Sequence, residues 1–169
     1  MTLYLVRHGR PLIDRARPAA EWELDPAGFD DVWALRESGR LPARAAWFTS
    51  PEPKAIATAQ LLTEGEVGIV DGLREQVRES AAWIDDFAGT VWRAFDQPDA
   101  PAYDGWEPLV VCRDRVTATV RGLVADHPET DLVLVGHGTA WTLLVAELTG
   151  APPDLDRWRD LAMPDLIVV

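Results

Sequence analysis

A chain of 169 residues, 47% hydrophobic and 26% charged, has the length and composition of one globular domain with a substantial core. Its formal net charge of −12 excludes the basic field of a nucleic-acid binder and repels anionic membrane surfaces, so any anion site must be a local cationic pocket in an acidic body. The single cysteine, Cys112, allows no internal disulfide and falls in an apolar helical pattern, and no apolar run resembles a signal or a membrane span, so the expected compartment is the cytoplasm.

In chain order, Leu3–Val6 is a short apolar run and predicts a buried strand. Residues 10–25 lack periodicity and predict a loop, with Trp22 as a packing residue. Pro26 suits the first turn of a helix running to about Arg40, with Gly39 near its end. Ala45–Thr49 predicts a second strand. A helix should follow it, capped by Thr49 or Ser50, with Pro51 or Pro53 in its first turn. Val67–Val70 is the third strand candidate. Leu73–Phe95 reads as mostly helical with an interruption at Gly89, and Asp96–Glu107, rich in Pro and Gly, as a loop. In Pro108–Asp126 the residues Leu109, Cys112, Val116, Val120 and Leu123 keep the 3.6-residue period, and Pro128 ends the helix. Leu132–Val135 is a strand, Thr139–Leu148 a helix, and Leu166–Val169 a last strand. Apolar strands alternating with helices predict an α/β fold, a three-layer sandwich with a mostly parallel sheet.

Polar clusters follow three of these strands: Arg7-His8-Gly9, Thr49-Ser50-Pro51 and Gly136-His137-Gly138. Two of the three histidines thus sit at strand ends, the place where open α/β sheets bind ligands. The third, His127, precedes Pro128 at a helix end and suits the helix dipole there. No zinc-type Cys/His cluster, Walker loop or dinucleotide fingerprint is present, so neither metal nor cofactor is expected.

The order and spacing of Leu3–Gly9, Thr49-Ser50-Pro51 with Ala55–Ala59, and Val135–Gly138 resemble the histidine phosphatase superfamily, the phosphoglycerate mutase-like proteins. The resemblance runs from Leu3 to about Gly150 and implies a single domain over residues 1–169. It implies that His8 is the nucleophile and forms a phosphohistidine, with Arg7 and His137 binding the phosphoryl oxygens. The N-terminus of the helix after Gly138 is expected to add its positive end. The family pattern Ser-Pro-x-x-Arg-Ala is met here by Ser50–Ala55 with Lys54, the chain's only lysine, in the arginine's place. Lys54 is expected to keep a weakened phosphate contact, since an ammonium lacks the bidentate fork. Arg10 is a further candidate for the substrate.

The general acid implied by the family falls on Glu75 in Leu73-Arg74-Glu75, expected to have a raised pKa, with Glu79 as rival. Residues 83–108, with six aromatic rings, correspond to an insertion that covers the site as a lid in this family. The implied activity is metal-independent hydrolysis of a small phosphorylated metabolite. Alternatives are a weak or inactive phosphate- or protein-binding module, a mutase-type phosphotransferase, and a homodimer joined through the tryptophans.

Overall fold

The computed structural model describes all residues, 1–169. Five strands form one sheet: β1 (Leu3–Arg7), β2 (Ala46–Thr49), β3 (Val67–Ile69), β4 (Leu132–Gly136) and β5 (Asp165–Val168), in the order β3-β2-β4-β1-β5. All pairings are parallel except that of β5, which runs antiparallel along β1. The helices are α1 (Phe29–Glu37), α2 (Pro53–Leu62), α3 (Phe87–Asp96), α4 (Leu109–Asp126), α5 (Gly138–Thr149) and α6 (Leu155–Asp160).

Alternation along the two central strands makes the three layers. Leu3 and Leu5 of β1 join Leu132 and Leu134 of β4 in a core with α4 and α5, while Val6, Val133 and Val135 face the opposite core with α1 and α2. Because successive strand side chains point to opposite faces, an apolar run without alternation must be covered twice, as the sequence implied.

Three expectations need correction. The helix predicted across 73–95 exists only as α3: residues 74–86 form a loop, because Arg78 bridges to Trp106 and the Glu79 and Glu107 N–H groups donate to the Gly105 and Val77 carbonyls on either side of that bridge. Gly89 does not interrupt a helix but lies in the first turn of α3, under the cap that the Asp86 carboxylate makes to its N–H. Neither Thr49 nor Ser50 caps α2; Glu52 is the extended residue before it, with Pro53 in the first helical position. The short α6 went unpredicted. Asp154 caps it through the Arg157 N–H, and it delivers Leu161 to the site.

Trp141, fully buried on α5, ties this layer to the sheet by donating from Nε1 to the Val6 carbonyl at 2.9 Å. Its ring lies against Gly136, where an added Cβ would come within 2.5 Å of Cζ2. That contact explains the glycine before His137 sterically. Gly136→Ala is expected to lower stability by about 1–3 kcal/mol through overpacking, whereas Gly122→Ala, on the exposed face of α4 with open space around it, should stabilise by about 0.4–1 kcal/mol. Thermal denaturation of the two variants checks this; equal behaviour would show that Trp141 does not impose the glycine.

Candidate functional site

The site forms where β1 and β4 end side by side. Arg7 is level with Gly136 in the parallel register, and the His8 N–H continues the ladder onto the Gly136 carbonyl at 2.9 Å. The chain then leaves β1 through Gly9, where a Cβ would collide with Val32 and Leu24, and the Gly9 N–H is held by Thr58 Oγ1 at 2.9 Å. The two strand-end imidazoles are consequently brought together, His8 and His137 having ring centroids 5.2 Å apart in an edge-to-face arrangement.

His8 has a defined tautomer. Its Nδ1 is 2.6 Å from the Gly9 carbonyl, which can only accept, so Nδ1 carries the proton and Nε2 keeps a free lone pair. Burial, followed by the proximity of His137 and Lys54, holds its pKa well below the ordinary imidazole value, so the ring is neutral. His137 is 1% exposed, and burial pushes its pKa down to about 3, against the opposing field of Glu75. Its Nε2 is 2.8 Å from Ser50 Oγ and 3.3 Å from Glu52 Oε1, while its Nδ1 is buried without a partner.

Arg7 donates from Nη1 to the Leu161 carbonyl at 2.5 Å, and its buried Nε has no partner. Of the three buried side-chain nitrogens and oxygens left unpartnered in the whole molecule, two are therefore Arg7 Nε and His137 Nδ1. Buried polar groups are ordinarily satisfied, so this pair marks a place built for a ligand that accepts hydrogen bonds.

The remaining expected residues divide. Lys54 is buried and close enough to depress both histidines, but its Nζ is already held by Glu52 Oε2 at 2.5 Å and the Ala19 carbonyl at 2.6 Å. It is half of a buried ion pair, so the expected phosphate contact would share its ammonium with Glu52. Arg10 is half-exposed and bridged to Asp25 at 3.1 Å.

Glu75 does reach the site, with an ionisation opposite to that expected. Burial favours its neutral form, but Arg78, His137 and the Gln76 N–H outweigh it and lower the pKa. Its carboxylate also accepts from Thr139 N at 3.1 Å and Ala140 N at 2.9 Å, so it occupies the N-terminus of α5 that was expected to bind phosphate. The rival, Glu79, is exposed and offers no competing geometry.

Four contributors were missed. Ser50 was named as a cap and in a strand-end cluster but given no role at the site, yet its hydroxyl meets His137. Glu52, 4% exposed, pairs with Lys54 and accepts the Glu75 N–H at 3.0 Å. A carboxylate two residues before the lone lysine was the available signal. Arg78 sits with its guanidinium 4.5 Å from the Trp106 ring centroid and 4.9 Å from that of Phe87, donating to Thr139 Oγ1 at 3.3 Å. Arg115 of α4 gathers the carbonyls of Gly72, Arg74 and Glu75 and pairs with Glu107 at 2.5 Å, which fixes the loop carrying Glu75. No cluster of three or more His, Cys, Asp or Glu is arranged to hold a metal ion. Cys112 is a buried core thiol whose pKa burial pushes up.

The profile of the histidine phosphatase superfamily (branch 1) matches residues 3–168. Among solved structures, a mycobacterial glucosyl-3-phosphoglycerate phosphatase superposes with a TM-score of 0.76 at 23% identity, over 99% of this chain and 88% of that one. YhfR of Bacillus stearothermophilus superposes with a TM-score of 0.73 at 25% identity, over 93% of this chain and 83% of that one. A curated relative, the homoserine O-acetyltransferase of Mycobacterium leprae, is 34% identical over 108 residues, which are 63% of this chain. The chain spans only 25% of that relative's length. The profile match runs from the first residue of β1 to the last of β5 and so takes in every element that builds the site: the chain belongs to the histidine phosphatase superfamily (branch 1).

Proposed function

We propose that the protein is a phosphomonoesterase that acts through a phosphohistidine on His8, with a small phosphorylated metabolite as substrate. The observation that carries this reading is the neutral, buried His8 with its Nδ1 proton committed to Gly9 and its Nε2 free, beside the unpartnered donors of Arg7 and His137. In the first step Nε2 attacks phosphorus in line, the phosphorus–oxygen ester bond breaks, and the leaving oxygen takes a proton. In the second, water attacks phosphorus, the phosphorus–nitrogen bond breaks, and inorganic phosphate leaves.

Glu75 carries the proton in this reading. It is ionised in the free site, so the proton arrives with the substrate: the monoanion of a phosphate ester brings one, and the added negative charge beside Glu75 favours its transfer to the carboxylate. Arg7 Nε and His137 Nδ1 meet the oxygens on which charge develops. All these groups come from one chain, so the site does not require a dimer.

The segment 83–108 serves as the lid. Trp83 stacks on Arg15 of the loop after β1 at 3.9 Å, and Phe87 and Trp106 flank Arg78, so this segment packs on that loop and on a residue of the site. Trp83 and Phe87 are 46% and 40% exposed, surface that favours substrates with some apolar bulk. The net charge of −12 disfavours a nucleic acid or an anionic membrane as partner and leaves a small anion to be held by the local donors of the pocket, and the single free Cys112 fits a reducing cytoplasm. No helix is long and apolar enough to cross a membrane.

Acetyl transfer, the activity named for the Mycobacterium leprae relative, is less well supported. Ser50 Oγ does meet His137 Nε2, but Ser50 is fully buried and His137 Nδ1 has no carboxylate to orient it.

Turnover of an aryl phosphate without added metal tests the main reading. His8→Ala should lower kcat/KM by at least about a thousandfold, and acid-labile phosphoprotein should form only with His8 present. Phosphate binding without turnover in the wild type would instead favour the binding module. Glu75→Gln should slow alkyl phosphates more than p-nitrophenyl phosphate, because only the poor leaving group needs its proton; equal losses would remove Glu75 from the acid role. Both histidines are held neutral by burial, so the acid limb of kcat/KM, corrected for ionisation of the substrate, should lie below the ordinary imidazole value of about 6.5. A limb at or above that value would show that an ordinary solvated imidazole controls the reaction.

A further inference from the structure

The carboxylate of Glu52 has no role in the steps above, yet it is among the most enclosed charges in the molecule, 4% exposed. Each oxygen is engaged. Oε1 lies 3.3 Å from His137 Nε2 and accepts the Glu75 N–H at 3.0 Å, while Oε2 holds Lys54 Nζ at 2.5 Å. A buried anion in a pocket meant for phosphate is costly on its face, because it opposes the ligand. Its position suggests what it gives in return.

His137 Nδ1 is unpartnered, and to donate a hydrogen bond it must carry a proton. A neutral ring can place its one proton there only if Nε2 accepts from the Ser50 hydroxyl, which lies 2.8 Å away. A protonated ring can donate from both nitrogens, and then Nε2–H needs an acceptor. Ser50 Oγ and Glu52 Oε1 are the two acceptors at that nitrogen, and only Glu52 brings a compensating charge.

We propose that Glu52 is a positioning residue of the phosphate pocket: it holds His137 Nε2–H and Lys54 with its two oxygens, so that His137 takes up a proton as an anion enters and presents Nδ1–H to it. The proton comes from solvent, and no covalent bond changes. The charged and titratable groups around His137 are Arg7 at the end of β1 and His8 just after it, Glu52 just before α2 and Lys54 in its first turn, and Glu75 and Arg78 from the loop after β3. Three of these are cations that resist the proton while the pocket is empty, in line with the low pKa of the free ring. An oxyanion offsets them and leaves Glu52 as the counter-ion on the far side of the ring. The inference rests on the anion-binding part of the phosphatase reading and not on turnover.

Tungstate is a suitable probe, being a phosphate-sized dianion that does not itself titrate near neutral pH. Calorimetry at pH 7.5 in buffers of different ionisation enthalpy should show the wild type taking up about one proton per tungstate bound, an uptake that persists when Glu75→Gln removes the other group able to gain a proton there. Glu52→Gln keeps an acceptor for the Glu75 N–H but lacks the charge. It should lose most of that uptake and bind tungstate about tenfold more weakly or worse. Wild-type uptake and affinity in the Gln variant would overturn the proposal, as would tighter binding, which would make Glu52 a mere competitor of the anion.

If the variant does not fold, nitrogen-15 spectra of the wild-type rings decide. Tungstate should move both His137 nitrogens into the protonated range, with His127→Gln used to remove the third histidine's signals. One protonated and one bare nitrogen in the complex would overturn the proposal, and so would proton uptake at His8 instead. Failure to turn over aryl phosphates with uptake at His137 intact would sink the phosphatase reading alone; failure of the wild type to bind tungstate would sink both.

Discussion

The parallel pairing of β1 with β4 is the constraint from which the site follows. It sets Arg7 level with Gly136 and carries the ladder one residue further, from the His8 N–H to the Gly136 carbonyl. A one-residue slip would turn every side chain of one strand to the opposite face and exchange the two cores, which differ in what they contain. Burying Leu3 and Leu5 on one side and Val6 on the other therefore does more than stabilise the sheet. It specifies the level at which both imidazoles emerge. Trp141 locks the same register from the helix side by bonding the Val6 carbonyl and packing on Gly136.

The electrostatics of the pocket follow from enclosing several charges in a chain of net charge −12. Arg7, Lys54 and Arg78 face Glu52 and Glu75, and the cations are each partly committed before any ligand arrives: Arg7 to the Leu161 carbonyl, Lys54 to Glu52, Arg78 to Thr139 and two aromatic rings. Desolvated charges are tolerated only when their remaining hydrogen-bonding capacity is met, and this web of backbone carbonyls and carboxylates meets it. What stays unmet is small and specific, one nitrogen on Arg7 and one on His137. Recognition in such a pocket comes from a few directed donors, not from a broad positive field.

Much of this was legible in the sequence because its physical basis is local. Short apolar runs ending in polar clusters gave β1, β2 and β4 and the two histidines, and the regular spacing of Leu109 to Leu123 gave α4. The misreadings share a cause in long-range contacts. Residues 74–86 are rich in good helix formers, but the bridge between Arg78 and Trp106 and the grip of Arg115 on the Gly72, Arg74 and Glu75 carbonyls outweigh that propensity. Lys54 was placed by its motif and Arg10 by its nearness to His8, whereas the Ala19 carbonyl and Asp25 that hold them are set by how loops fold over the sheet. The ionisation of Glu75 could not be read from a Leu-Arg-Glu string, since it depends on the Arg78 guanidinium and on His137, which the fold brings to the carboxylate against the cost of burial.

That placement of Glu75 bears on how an anion must be held. In many phosphate sites the helix N-terminus supplies N–H donors directly to the ligand. Here Thr139 N and Ala140 N are already spent on a carboxylate, so the dipole of α5 stabilises the negative form of the proton carrier. The consequence is a division of labour. Side-chain nitrogens of Arg7 and His137 remain to bind the phosphoryl group, while the helix N–H groups are held by Glu75, whose ionised form Arg78 favours most. A carboxylate stabilised in this way in the empty site gains a proton only when a second anion comes close. The proton carrier is thereby charged by the substrate that needs it, and the fold achieves this with the same strand register that brings the histidines together.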